Sequence, residues 1–267
     1  LAKLEHLVVQ DIFMTETAWN ADIILPASAH AEKTGTYTNT NRQVQIGRAV
    51  VEPPKEVRQD WWIIQEIAKR MGLGWDYKSP KDIFDEMKLV MPSLDNISWE
   101  RLEKDNHVTY PVKSELIPGE DIIFTNGFPT SNNLAKIIPV NLINPNDELN
   151  SDFPLILSTG RLLEHWHTGT MTRRALVLNE LEPDPMIFMS QVDSNFYNLD
   201  LNKSVIIETR RGKISIKIRH DDDLLPGMIF LPFCFKEAAA NILTNSDLDP
   251  IGKIPELKFS AARVYQN

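Results

Sequence analysis

The feature that most restricts the fold lies in the second half of the chain, where apolar and polar residues alternate in short bursts. Ser204-Val205-Ile206-Ile207-Glu208-Thr209 and Lys213-Ile214-Ser215-Ile216-Lys217-Ile218 repeat with period two, as a strand with one buried face does. Arg210-Arg211-Gly212 between them is expected to form a tight hairpin turn. Pro154-Leu155-Ile156-Leu157-Ser158 and Gly227-Met228-Ile229-Phe230-Leu231 supply two more short strands. Many short strands leave open edges unless the sheet closes on itself, so a closed β-barrel is expected over 151–267.

The first third follows different rules. His6-Leu7-Val8-Val9-Gln10 and Ala21-Asp22-Ile23-Ile24-Leu25-Pro26 are short apolar runs, as in parallel sheets covered on both faces. Asp60 is expected to cap a helix over 61–71, where Trp62, Ile63, Ile67 and Met71 recur at helical spacing before Gly72 stops it. A second helix is expected over 81–90, after Pro80. From about 106 to 150 this periodicity gives way to Pro, Asn, Gly and Asp, the composition of a long connection. The expected division is α/β plus β: part of a parallel-sheet α/β domain over 1–110, a linker over 111–150, and the barrel over 151–267. Leu1 leads within a few residues into an apolar strand with nothing before it to pack on, which suggests a piece of a longer chain.

Charge and cysteine usage narrow the partners. Lys+Arg 28 against Asp+Glu 37 gives a net charge of -9, which repels a phosphate backbone and argues against nucleic acid. No apolar run approaches the roughly 18 residues of a spanning helix, so no membrane segment is expected. Cys234 is the only cysteine, so the chain can form neither an internal disulfide nor a four-thiolate iron–sulfur site, and a reducing, cytoplasmic setting fits. Lying between two Phe, Cys234 reads as an inert buried hydrophobe.

Three polar clusters can carry chemistry. The densest is Ser158-Thr159-Gly160-Arg161-Leu162-Leu163-Glu164-His165-Trp166-His167-Thr168-Gly169-Thr170-Met171-Thr172-Arg173-Arg174, directly after a strand. Thr hydroxyls, Gly amides and an Arg fork suit a phosphate, while Trp and His offer ring faces and N–H groups to a heterocycle. A polar surface loop with a buried Trp is the plain alternative. His165 and His167, two apart on a strand, would share a face, but no third or fourth metal ligand stands at recognisable spacing. The second cluster joins Gln10-Asp11, at a strand end, to Glu32-Lys33-Thr34-Gly35-Thr36-Tyr37-Thr38-Asn39-Thr40-Asn41-Arg42. A carboxylate only accepts hydrogen bonds, which suits the N1–H and amine of guanine, and Lys33 suits a phosphate. Capping by Asp11 and a solvated Lys33 are the alternatives. The third cluster, 232–245 with 249–258, holds Phe233, Cys234, Phe235, Asn241 and Lys258, either around a ring-shaped ligand or as core aromatics and surface polar groups. Asp221-Asp222-Asp223 reads as a solvated turn, and Ser-His-Asp, Walker and GxGxxG patterns are absent.

In this order, the clusters resemble the molybdopterin oxidoreductase family. Gln10-Asp11 through Ala21-Asp22-Ile23-Ile24-Leu25-Pro26-Ala27 and Glu32-Lys33-Thr34-Gly35-Thr36-Tyr37-Thr38-Asn39 resemble the end of its central α/β domain. Thr159-Gly160-Arg161 with Glu164-His165-Trp166-His167-Thr168-Gly169-Thr170-Met171-Thr172-Arg173 resembles the opening of its dinucleotide-binding barrel, of double-psi type. Pro232-Phe233-Cys234-Phe235, Glu237 to Asn241 and 249–256 are most similar to soluble, NAD-linked formate dehydrogenases. Periplasmic nitrate reductases share the Glu-His-Trp-His-Thr motif and are the runner-up, and a non-catalytic pterin-binding or structural homologue is the alternative of another class.

The resemblance implies a bis(molybdopterin guanine dinucleotide) cofactor with molybdenum or tungsten, formate and carbon dioxide as substrate pair, and partner subunits that carry iron–sulfur clusters and reduce NAD. It implies cofactor contacts at Gln10, Asp11, Lys33, Asp60, Thr159, Gly160, Arg161, Glu164, His165, Trp166, His167, Thr168, Phe233, Asn241 and Lys258. After Lys258 this chain has Phe259-Ser260-Ala261-Ala262, where many relatives have Tyr-Cys-Ala-Val. The family's thiolate or selenolate metal ligand, its catalytic His and Arg, and the cysteines of its [4Fe-4S] cluster lie upstream of the matched region. No residue here takes those roles, so this polypeptide alone is not expected to turn over formate.

Overall fold

The computed structural model describes residues 1–266 and divides them into two compact units, 1–137 and 138–266. In the first unit, β1 (Val8–Asp11) and β2 (Ile23–Pro26) form a parallel pair, with Asp11 opposite Pro26. An antiparallel sheet follows, β3 (Gly35–Thr38), β4 (Gln43–Gly47) and β5 (His107–Thr109). Helices α1 (Asp60–Arg70), α2 (Pro80–Val90) and α3 (Trp99–Asp105) complete the unit. Its core gathers Val44, Phe84, Leu94, Ile97, Leu102 and Val108, all nearly inaccessible.

Both expected helices form, with one correction at the first. Asp60 is its first residue rather than its cap, the cap position belonging to Gln59, which makes no capping side-chain bond. At α2, Pro80 occupies the first turn and Asp82 Oδ2 accepts from the Ser79 amide at 3.1 Å, which fixes the start of the helix. The antiparallel sheet is an addition to the expected parallel-sheet architecture. Its strands are short and polar, and Arg42, which turns the β3–β4 hairpin at φ 67°, is held by the carbonyls of Tyr110 and Asp121. Those acceptors are distant in sequence, so no local pattern announces them.

The second unit is a closed six-stranded barrel in the order β10-β6-β11-β8-β9-β7. Its strands are β6 (Leu155–Gly160), β7 (Met186–Met189), β8 (Val205–Thr209), β9 (Lys213–His220), β10 (Met228–Pro232) and β11 (Ser260–Tyr265). Short helices α4 (Leu176–Leu181) and α5 (Gln191–Phe196) lie in the connections. The β8–β9 hairpin closes where expected, Thr209 N–H donating to the Gly212 carbonyl at 2.9 Å. Alternation along β8 and β9 sends Val205, Ile207, Ile214, Ile216 and Ile218 inward beside Leu155, Leu157, Ile187, Ile229 and Leu231. Each such side chain contributes roughly 1.5–3 kcal/mol of burial. β6 and β10 run parallel, as do β7 and β9, and the remaining pairs are antiparallel.

Candidate functional site

The parallel pairing of β6 and β10 sets Leu231 opposite Thr159 and Pro232 opposite Gly160, so the segments leaving both strands emerge at the same end of the barrel. Two clusters more than sixty residues apart in sequence thereby meet. Phe233 N–H donates to the Gly160 carbonyl at 3.1 Å. His167 meets Phe233 edge-on at 5.4 Å between ring centroids, and His165 meets Phe235 at 5.6 Å. The Cys234 carbonyl would lie 2.8 Å from any side chain added at Gly169, whose φ is +76°, so only glycine fits there.

Lys258 arrives at the same place from the approach to β11. Its ammonium donates to the Thr159 carbonyl, and Thr159 Oγ1 donates to the Leu257 carbonyl at 2.7 Å. A side chain at Gly160 would strike the Phe230 ring at 2.4 Å, with Lys258 Nζ 3.7 Å away. Arg161, Trp166, His167 and Thr168 are exposed on the loop, and the Arg161 guanidinium lies 5.4 Å from the Trp166 ring centre. Asn241 is exposed, Phe233 and Glu164 are half-buried, and Thr159 is 3% exposed.

The two histidines do not share a strand face. His165 is in the loop, 1% exposed, with Nδ1 3.3 Å from Thr172 Oγ1 and Nε2 2.7 Å from the Glu182 carbonyl. His167 is exposed and adopts φ 51°, a left-handed backbone that turns it away from its neighbour. The thiol of Cys234 is pushed up to about 11 by burial, which keeps it protonated and inert.

In the first unit a second set of candidates converges. Asp60 receives Gln10 Nε2 on one carboxylate oxygen at 2.6 Å and Lys33 Nζ on the other at 2.5 Å. These residues come from the end of β1, the turn before β3 and the first turn of α1. Burial pushes the Asp60 carboxyl up, but the hydrogen bonds from Lys33 and Gln10 outweigh it and hold the pKa below the usual carboxylate value. Asp11 does not join them through that carboxylate: its Oδ1 accepts from the amides of Ile12 and Phe13, closing its own turn.

The donor chemistry fits a dinucleotide. The barrel loop offers cations, hydroxyls and ring faces without a carboxylate at its tip, as phosphates and a heterocycle require. Each Asp60 oxygen retains accepting capacity beyond its one bond, so the group can still receive donors from a base edge. Thr172, Arg173, Phe235 and Glu237 lie within the clusters quoted from the sequence but are not among the cofactor contacts that the resemblance implies. They make the contacts that tie the loop down, and their proximity to Gly169 in the fold, not their spacing, reveals them.

Comparison with known proteins identifies the domains that carry these residues. Residues 1–70 match the family model described as Molybdopterin oxidoreductase, and residues 155–261 match the Molydopterin dinucleotide binding domain. The alpha subunit of the F420-dependent formate dehydrogenase of Methanocaldococcus jannaschii is 42% identical over 266 residues, 99% of this chain and 39% of that protein. The F420-dependent formate dehydrogenase 2 alpha subunit of Methanococcus maripaludis is 38% identical, again over 99% of this chain and 39% of that protein. The chain thus spans about two-fifths of the length of these relatives. Acetylene hydratase from Pelobacter acetylenicus superposes with a TM-score of 0.76 at 21% identity, over 98% of this chain and 40% of that one, a likeness of fold. The converging loops at the barrel end and the two family matches together assign the chain to the molybdopterin oxidoreductase family.

Proposed function

We propose that this chain is the cofactor-holding portion of a formate dehydrogenase alpha subunit that oxidises formate to carbon dioxide with transfer of two electrons. The observation that carries the reading is the meeting of the loop after β6, the segment after β10 and Lys258 at one end of the barrel, in a chain 42% identical to a named formate dehydrogenase alpha subunit. The cofactor is a bis(molybdopterin guanine dinucleotide) carrying molybdenum or tungsten, which when bound supplies the redox-active metal. Lys258, Arg161, Thr168 and the amides after Gly160 would hold phosphates, and Phe233, Trp166, His167 and Asn241 would frame the pterin. Asp60, kept anionic by Lys33 and Gln10, would receive guanine donors. The two parallel pairs, β6 with β10 and β7 with β9, support reading the barrel as the double-psi type.

The resemblance to soluble formate dehydrogenases favours NAD as acceptor and partner subunits bearing iron–sulfur clusters. The names of three similar relatives favour F420 instead, and on that ground F420 replaces NAD here as the proposed acceptor. Among the described residues no helix is long and apolar enough to cross a membrane, and a cytoplasmic site of action fits the single cysteine. The test is anaerobic, formate-dependent dye reduction by the full subunit with its partners, with F420 and NAD offered separately and nitrate as a control oxidant. Formate oxidation coupled to F420 is the expected result. Nitrate turnover without formate oxidation would overturn the substrate, and NAD reduction alone would overturn the acceptor.

A further inference from the structure

The exposed tip of the barrel loop stands on a small set of contacts made by consecutive residues. The 3-10 turn Thr172–Arg174 follows the tip directly. Thr172 Oγ1 accepts from the Trp166 amide at 3.0 Å and meets His165 Nδ1 at 3.3 Å. The other ring nitrogen, Nε2, faces the Glu182 carbonyl at 2.7 Å, and a carbonyl only accepts, so Nε2 carries the proton. In the neutral ring Nδ1 therefore accepts the Thr172 hydroxyl proton. Both nitrogens of a ring 1% exposed are committed to the protein, which leaves His165 as a post for the loop rather than a contact of the cofactor.

Arg173 ties the same turn to the other strand. Its guanidinium lies 4.8 Å from the Phe235 ring centre and its Nη1 is 2.7 Å from a Glu237 carboxylate oxygen. Its Nε is buried without a hydrogen-bond partner, so the inner edge of the guanidinium is packed against the segment after β10 while its outer edge pairs with the half-exposed Glu237. The backbone agrees, since Arg173 N–H donates to the Gly169 carbonyl at 2.8 Å and Gly169 lies against the Cys234 carbonyl. Thr172 thus grips the start of the loop and Arg173 grips the segment after β10, while Trp166, His167 and Thr168 between them remain exposed.

We propose that Thr172–Arg174 is a latch that pre-shapes the dinucleotide loop, with Thr172 and Arg173 as positioning residues that touch His165, Phe235 and Glu237 rather than the ligand. The benefit is preorganisation: a loop already shaped loses less conformational freedom when it closes on a ligand. As a cofactor-loading device the latch rests on the function proposed above; as a restraint on the loop it does not.

The test uses the full subunit with its partners, as wild type and as Thr172→Val, Thr172→Ser, Arg173→Gln and Arg173→Lys. Amide hydrogen exchange over 161–171 is read in protein made without pterin, and metal and pterin dinucleotide per polypeptide are read in protein made with it. Thr172→Val and Arg173→Gln are expected to exchange about tenfold faster across the loop and to hold about tenfold less cofactor, the scale of one lost charge-assisted or buried hydrogen bond. The melting temperature of the pterin-free protein is expected to fall by no more than a few degrees, and exchange in the barrel strands to stay at the wild-type rate. Thr172→Ser keeps the hydroxyl and restores both readouts. Arg173→Lys keeps the ion pair without the flat face on Phe235 and falls between. Unchanged exchange in Thr172→Val and Arg173→Gln would overturn the latch, as would exchange that speeds up equally throughout the barrel strands, or faster loop exchange with full cofactor loading. Wild type that holds no pterin dinucleotide while the exchange pattern appears as expected would overturn the proposed function and leave the loop restraint standing.

Discussion

The carboxylate of Asp147 is 1% exposed and collects three donors, the guanidiniums of Arg210 and Arg211 and the Ala261 amide at 2.8 Å. Burial pushes this carboxyl up, but the Arg211 hydrogen bond, the Ala261 amide and Arg210 outweigh it, and the pKa falls below the usual value of 3.8. A group whose pKa is depressed on folding contributes stability above its unfolded value and loses it as pH drops through the folded one. Asp147→Asn is expected to cost about 3 kcal/mol at neutral pH, at the low end for a broken buried pair because both guanidiniums keep some solvent. The gap between wild type and variant in denaturant melts should shrink below about pH 4. Ser260 presents the opposite case, a hydroxyl 1% exposed with no hydrogen-bond partner. Ser260→Cys is expected to raise stability by up to about 1 kcal/mol, read as a higher urea midpoint. Asp60→Ala tests the other unit and should lower guanine dinucleotide content, while unchanged content would leave Asp60 as a partner for Lys33 and Gln10 alone. The residues in these predictions differ in how far sequence revealed them. Asp60 stands out through its helix start, whereas Asp147 lies in a polar connection and gains its role only from partners more than sixty residues away.

Among the elements, β9 shows how alternation becomes energy. Ile214, Ile216 and Ile218 point into the barrel and Lys213, Ser215 and Lys217 point out. Ile216→Ala should cost about 2–5 kcal/mol, and Lys217→Ala should stay within about 0.5 kcal/mol, both measurable by chemical denaturation. At the end of β6, Gly160→Ala should cost about 1–3 kcal/mol through displacement of the Phe230 ring, since the added carbon meets it at 2.4 Å. β8, β9, β6 and β10 are legible because apolar residues alternate or run together between turn residues. β7 and β11 are not, for physical reasons. Met186–Met189 is a short apolar run with a pattern common to helix and strand, and Ser260–Tyr265 begins with small residues of low strand preference. Both are strands because the barrel needs them, β7 pairing β9 and β10, and β11 pairing β6 and β8.

For the molecule as a whole, the two units are expected to be separable by brief proteolysis. Leu142 and Ile143 are 98% and 90% exposed in a stretch without strand or helix, whereas Asp147 is locked to the barrel. Cleavage should fall before Asp147 and leave a barrel fragment beginning near it, which mass spectrometry would identify; a first cut inside β6–β11 would contradict this. The sequence by itself determined α1, α2 and the β8–β9 hairpin, because a Pro start, Gly stops and two-residue alternation are local instructions that need no partner. It also carried the family resemblance, since Thr159-Gly160-Arg161 and Glu164 to Arg173 lie within one short stretch of chain. Only the tertiary structure decided what those residues do for one another. The parallel register of β6 and β10 brings Gly160 beside Phe233, buries His165 between Thr172 and Glu182, and sets Arg173 on Phe235. Strand pairing over long separations is set by closure of the whole sheet and burial of its shared interior, and no window of sequence contains that information.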